Sequence, residues 1–321
     1  MRITRVRIIS QIFFFGLFLF FVFATKDTLL KSYPVSCLLE LDPLVGFTTA
    51  LATHEIYKGL LWGVVLLGLT FVLGRVFCNW ICPYGSSHQF IGWIFGKFNV
   101  LHRIESNRYR NLYSVKYVIL IAVIIASAIG TLQMGLLDPI VLLHRSFTVA
   151  ILPALDMAWP GLIYVKPYTH QMAWLIGFIL LFLLAMNVVI PRFFCRTLCP
   201  LGAFLGVASR FSLWRIHRDT VKCVDCDLCL RSCEGASDPH TILRKSECFV
   251  CFNCIEDCPH DALHFEFLPD RAGEVTSPQI SGRRMILAGF IGFLFYPLAR
   301  SSGKTTKDYD AKAIRPPGSV E

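Results

Sequence analysis

The sequence predicts a mainly α integral membrane protein: a pseudo-two-fold four-helix transmembrane bundle, a small α+β domain after it, and a C-terminal apolar helix. Three observations carry this expectation. Hydrophobic residues make up 55% of the 321-residue chain and aromatic residues 13%, with a mean hydropathy of +0.56, above the balance of an ordinary soluble domain. Several apolar stretches approach the roughly 20 residues that a helix needs to cross a hydrocarbon core. The apolar region also repeats one string: LDPLVGF at 41–47, an apolar run and FCNWICPYG at 77–85, then LDPIVLL at 137–143, an apolar run and FCRTLCPLG at 194–202. An internal repeat of this kind implies two like halves packed face to face.

The expected spans are 8–24, 57–77, 115–136 and 172–190, with a shorter fifth at 285–298. The first lacks a small-residue cleavage pattern and reads as a retained anchor. Orientation follows from Lys and Arg in short loops. Arg2, Arg5 and Arg7 precede the first span, Lys97, Arg103, Arg108, Arg110 and Lys116 lie between the second and third, and Arg192, Arg196, Arg210, Arg215 and Arg218 follow the fourth. The connections at 26–56 and 137–171 are nearly balanced. A cytoplasmic N-terminus is expected, with both FCxxxCP strings at the cytoplasmic ends of spans. The expected domains are therefore the bundle at 1–202, a cytoplasmic domain at 203–270, and a linker, possible fifth helix and tail at 271–321. The formal charge of +9 is accounted for by topology and by anionic lipid head groups, so nucleic acid is not an expected partner.

Thirteen cysteines in a chain with a cytoplasmic domain point to metal rather than disulfides. Eight form two runs, Cys223, Cys226, Cys229 and Cys233 (CVDCDLCLRSC) and Cys248, Cys251, Cys254 and Cys258 (CFVCFNCIEDCP). Both are C-x2-C-x2-C-x3-C, the bacterial ferredoxin spacing, in which the fourth cysteine reaches across to the other [4Fe-4S] cluster. The expected ligand sets are Cys223, Cys226, Cys229 and Cys258 for one cluster, and Cys248, Cys251, Cys254 and Cys233 for the second. Zinc knuckles also repeat C-x2-C but gain nothing from a third step. Glu234 stands where the pattern usually has proline, a change expected to bear on loop shape, whereas Pro259 keeps it. No C-x-x-C-H occurs, so c-type haem is disfavoured.

Cys78 and Cys82 stand four apart, as do Cys195 and Cys199, a spacing that on a helix puts both thiols on one face. Pro83 and Pro200 are expected to end or kink that helix. If the halves face each other, four thiols converge, and three chemistries fit: a further iron-sulfur cluster, another bound metal, or a redox dithiol pair. Cys37 has no counterpart and reads as structural.

On FCNWICPYG, FCRTLCPLG and the two cysteine runs, residues 5–268 resemble the NapH and MauN type of membrane iron-sulfur protein, the quinol dehydrogenase component of periplasmic nitrate reductase systems. FCxxxCP modules also occur in the nitrous oxide reductase regulator family. The resemblance implies a bacterial inner-membrane protein that takes electrons from a quinol and passes them through iron-sulfur centres to other redox subunits, such as a ferredoxin or cytochrome subunit. GRRMILAGFIGFLF at 282–295 looks like a twin-arginine motif before an apolar helix. AKAIRPPGSVE at 311–321 resembles the lead into a further ferredoxin module, which would be either missing here or a separate subunit.

Quinol oxidation also releases protons. Asp42, Asp138, His54 and His144 are the candidates on the outer side, with His88 and His102 on the inner side. Asp before Pro also caps helices or makes turns, and an interfacial histidine can serve structure alone. Two other functions fit the same strings: an assembly factor that reduces a metal or disulfide of a client protein, and a cluster-carrying anchor subunit of a larger respiratory complex. No nucleotide fingerprint supports NAD or flavin binding.

Overall fold

The computed structural model describes residues 3–24, 40–55, 61–95, 104–130, 135, 137–158, 173–241, 243–267 and 281–304. Cys37 and His102 lie outside these residues.

The chain is mainly helical. Among the described residues two stretches are long and apolar enough by themselves to cross a membrane, Ile3–Phe23 and Ile104–Ala128, of 21 and 25 residues. The helices Leu61–Leu73 and Ala173–Val189 are shorter, at 13 and 17 residues. At 1.5 Å per residue the first of these rises only about 20 Å. Large apolar side chains on their outer faces, among them Phe13, Trp62, Val65, Trp174, Phe178 and Leu181, are exposed. Such a belt suits contact with lipid.

The expected connections at 26–56 and 137–171 contain helices. Pro43–Thr53 forms one, and Pro139–Ser146 leads through a π turn at Phe147–Ile151 into Leu152–Ala158. Asp-Pro is the cause in both repeats. The Asp42 carboxylate accepts the Leu44 and Val45 amides at 2.8 and 3.2 Å, and Asp138 accepts those of Ile140 and Val141, both at 2.8 Å. Proline at the first helical position lacks an N–H that the helix could not use. The LDP strings are thus helix starts, not turns.

The repeats trade contacts. The helix Pro83–Phe95 of the first repeat packs on Ala173–Val189 of the second, and Pro200–Ser209 of the second packs on Leu61–Leu73 of the first. Ile3–Ala24 lies against Pro83–Phe95 just as Val115–Ala128 lies against Pro200–Ser209. Leu44, Leu66, Tyr84, Ile140, Phe194 and Leu201 are buried at the shared core. The Pro200–Ser209 helix is part of this core and crosses the boundary expected at 202. Gly292 in the last helix, Gly282–Lys304, sits on Val115–Ala128 so closely that a Cβ would lie 2.7 Å from the Ala122 carbonyl, a small-residue contact of the kind that lets apolar helices approach.

Beyond the bundle, β1 (Trp214–Arg218) and β2 (Leu263–Phe267) pair antiparallel, with Ile216 opposite Phe265 and His217 opposite His264. They bring together the chain before the first cysteine run and the chain after the second. Two one-turn helices, Leu228–Arg231 and Asn253–Glu256, carry the third cysteine of each run. Trp80 fixes this unit on the bundle: its indole N–H donates to the Val250 carbonyl at 3.1 Å and its ring meets Phe252 edge-on at 6.2 Å.

Candidate iron-sulfur centres

Each FCxxxCP string folds the same way. The Phe77 carbonyl accepts both the Ile81 and Cys82 amides, at 3.1 and 2.9 Å, and the Phe194 carbonyl accepts those of Leu198 and Cys199, both at 2.9 Å. A single helical turn, Phe77–Trp80 or Phe193–Thr197, carries the first cysteine. The second cysteine then opens a new helix, with Pro83 or Pro200 at its start. The expectation that these prolines end a helix, with both thiols on it, is corrected: proline here begins one.

The cysteine becomes the helix cap. Cys199 Sγ accepts the Gly202 amide at 3.2 Å, and the amides of Gly85 and Tyr84 stand at the equivalent place beside Cys82. Two helix N-termini thus aim partial positive charge at sulfur, an arrangement that favours thiolate. The glycine is required as well. A Cβ at Gly85 would lie 2.2 Å from the Cys78 carbonyl oxygen, and one at Gly202 would lie 2.9 Å from Arg75 Nη2. C-P-x-G therefore reads as sulfur cap, helix start and close approach. Cys78, Cys82, Cys195 and Cys199 are all buried and electrostatically coupled to one another.

Cations line the layer between these sulfurs and the cysteine runs. Arg7, Arg75, Lys116, Arg192 and Arg196 are buried. Arg75 donates to the Ser246 carbonyl at 2.7 Å and stands 3.9 Å from Cys78 Sγ. Arg192 pairs with Glu234 at 2.8 Å, so the residue in place of proline is an ion-pair partner. Arg196 donates to the Cys233 carbonyl at 2.9 Å and to Asn107 Oδ1 at 2.7 Å. Glu247 answers Lys116, Arg75 at 3.9 Å and the Tyr117 hydroxyl at 2.8 Å. The guanidinium groups of Arg75 and Arg192 lie 4.6 and 5.3 Å from the ring of Phe249, the neighbour of Cys248. Arg192 and Arg196, counted from sequence as topological charges, are thus interior groups. The signal for the first was in the strings: RVFC at 75–78 and RFFC at 192–195 place an arginine three residues before each first cysteine.

In the cysteine runs, Cys223, Cys226, Cys229 and Cys258 line one cavity together with His240 and Pro259. Cys233 lies with Cys248, Cys251 and Cys254, each of the three feeling its charge. The residues on either side of the second cysteine in each run take left-handed backbone: Asp225 and Asp227 at φ 52° and 56°, Val250 and Phe252 at 48° and 61°. This conformation is costly for valine, about 1–3 kcal/mol, and turns backbone amides inward as an anion nest. Burial, then neighbouring thiolates, push Cys229 up to about 12. Burial also pushes Cys248 up to about 12. Such a crowd of sulfurs ionises only when a metal shares the charge. Among the described residues no three Cys, His, Asp or Glu side chains converge tightly enough to chelate a single ion.

Of the proton candidates, Asp42 and Asp138 are brought together, both fully buried. His54 is exposed at a helix end and His144 is half-buried in the last turn of its helix, so the two histidines do not join the pair as a built site. His88 is buried, and neither of its ring nitrogens has a partner.

The family model described as "4Fe-4S binding domain" matches residues 56–100 and 171–218, the two FCxxxCP halves. Ferredoxin-type protein NapH of Haemophilus influenzae is 25% identical over 290 residues, 85% of this chain and 90% of that protein. Methylamine utilization ferredoxin-type protein MauN of Paracoccus denitrificans is 29% identical over 206 residues, 63% of this chain and 62% of that one. An uncharacterized protein of Methanocaldococcus jannaschii is 28% identical over 270 residues, 83% of this chain and 97% of that protein. No solved structure matches. With the repeated cysteine strings, the paired runs and these relatives in view, the chain is similar to the NapH/MauN type of ferredoxin-type membrane proteins, a likeness that supports iron-sulfur electron transfer.

Proposed function

We propose that this protein passes electrons between the quinone pool and a redox partner, acting as a quinol dehydrogenase subunit of a bacterial inner membrane. Four spans form a pseudo-two-fold bundle with the N-terminus and the cysteine-run domain in the cytoplasm, and Gly282–Lys304 adds a fifth helix. Cys223, Cys226, Cys229 and Cys258 hold one [4Fe-4S] cluster, and Cys233, Cys248, Cys251 and Cys254 hold a second. Cys78, Cys82, Cys195 and Cys199 hold a third, thiolate-ligated centre.

One observation carries the reading: buried cations stand between the four bundle sulfurs and the second cysteine run, more numerous than the carboxylates that pair with them. Cations buried in excess need anions. Neutral dithiols would leave the excess standing, whereas four thiolates around a cluster carry the opposing charge. Bound clusters supply one-electron steps; the chain's own groups orient and tune them. Arg75, Arg192 and Phe249 hold the cysteine runs against the bundle, and the cap amide of Gly202 donates to the Cys199 sulfur.

The test is an anaerobic count of iron and sulfide with EPR spectra, on the wild type and a Cys78→Ser/Cys199→Ser variant, before and after adding a reduced quinol. About twelve irons falling to about eight, with quinol-reducible signals lost, supports the reading, given four irons per cluster. Eight irons in both proteins removes the third centre. An assembly factor would instead show no quinol-driven reduction and would alter metal loading of a client.

A further inference from the structure

The two repeats agree through C-P-x-G but part at x: Tyr84 in the first, Leu201 in the second. Tyr84 is fully buried. Its ring meets Phe194 and His88 edge-on, both at 4.8 Å, and its hydroxyl has no hydrogen-bond partner in the protein. A buried phenol in that state calls for an acceptor. His88 is not that acceptor, because both of its ring nitrogens are themselves without partners. The nearest groups with acceptor chemistry are sulfurs: Phe194, which the Tyr84 ring meets, is the neighbour of Cys195, and Tyr84 itself follows Cys82 by two residues. Thiolate and cluster sulfur accept hydrogen bonds, and such bonds are a main lever on cluster potential.

We propose that Tyr84 donates its hydroxyl hydrogen bond to a sulfur of the centre held by Cys78, Cys82, Cys195 and Cys199, and thereby raises that centre's potential from one side only. The inference rests on the reading that these cysteines hold a redox centre. Tyr84 is a positioning and tuning residue. Leu201, its counterpart, offers no side-chain donor, so a hydroxyl stands on the first-repeat side of the centre and none stands at the matching position of the second. A donor at sulfur disperses negative charge and therefore favours the reduced, more negative form.

The experiment is an EPR-monitored redox titration of the full-length, cluster-loaded protein as wild type, as Tyr84→Phe, and with a ring-fluorinated tyrosine at position 84, whose more acidic hydroxyl is the stronger donor. Tyr84→Phe is expected to weaken electron uptake at this centre about tenfold, a fall of about 59 mV for a one-electron couple. The fluorinated residue is expected to shift it the other way, with both cysteine-run clusters unmoved. Should Tyr84→Phe not assemble the centre, the fluorinated protein alone decides, since its shape is nearly unchanged. Equal potentials in protein that holds the centre overturn the role of Tyr84. A wild type whose iron content matches the Cys78→Ser/Cys199→Ser variant overturns the underlying centre instead, and the proposal with it.

Discussion

Asp42 and Asp138 meet carboxyl to carboxyl, each fully buried and each capping the helix that opens its own repeat. In each, Oδ1 accepts backbone amides, and Oδ2 receives no N–H or O–H from the surrounding protein. Burial first, and then the neighbouring Asp138, push the Asp42 carboxyl well above the usual carboxylate range.

That arrangement sets a prediction for amide substitution. Asp138→Asn keeps a good cap and offers its own N–H to Asp42, so stability in detergent should stay within about 0.5 kcal/mol of wild type. Asp138→Ala should lose about 1–2 kcal/mol through the cap alone. Chemical denaturation checks both. Quinol-driven reduction that falls in the Asn variant at unchanged stability would give the pair a part in proton release, and unchanged reduction would confine it to structure.

Glu247 is the carboxylate that Lys116, Arg75 and Tyr117 share. Glu247→Gln strands two buried cations, and the expected cost is about 3–5 kcal/mol. Adding Lys116→Met to that variant should recover part of the loss. A double variant less stable than Glu247→Gln would contradict the pairing.

The two C-P-x-G glycines should respond unequally to alanine. At Gly85 the added carbon would strike backbone, the Cys78 carbonyl oxygen at 2.2 Å, whereas at Gly202 it would meet the end of the Arg75 side chain at 2.9 Å. Overpacking typically costs about 1–3 kcal/mol, with Gly85→Ala above that range and Gly202→Ala within it. Iron retained by each purified variant gives the readout, with Gly85→Ala losing more.

Acid should loosen the junction through Glu234. Burial alone would raise its pKa, but Arg192, Arg7 and Arg196 outweigh burial and hold it below the usual carboxylate range. A depressed folded value means the stabilisation is complete above the ordinary glutamate pKa of about 4.3 and is lost as pH falls through the lower folded value. Glu234→Gln should therefore be less stable at neutral pH and should lose this acid limb. A stability–pH profile parallel to wild type down to strongly acidic pH would refute the pairing.

Much of the site was legible in the string because its chemistry depends on spacing. C-x2-C-x2-C-x3-C and the doubled FCxxxCP both name residues that the structure gathers. What stayed hidden depends on partners distant in sequence. Arg192 and Arg196 read as surface charge because nothing local reveals Glu234, Cys233 or Phe249 beside them. Pro83 and Pro200 read as helix ends because a sulfur cap is not among the usual Ser, Thr, Asp and Asn signals. The helices after Asp42 and Asp138 were missed for a simpler reason: the Asp-Pro start signal was present, but the segments lay in stretches already set aside as connections.

The traded contacts between the repeats also bear on how the protein is made. Pro83–Phe95 completes its packing only when Ala173–Val189 has been synthesised, and the Leu61–Leu73 helix completes its own only with Pro200–Ser209. Cys78 and Cys82 therefore wait on an unfinished surface through the synthesis of more than a hundred further residues, until Cys195 and Cys199 arrive. If these four sulfurs take metal as proposed, it would enter only late in biogenesis, after the second repeat has been made and before the cysteine-run domain closes over the site.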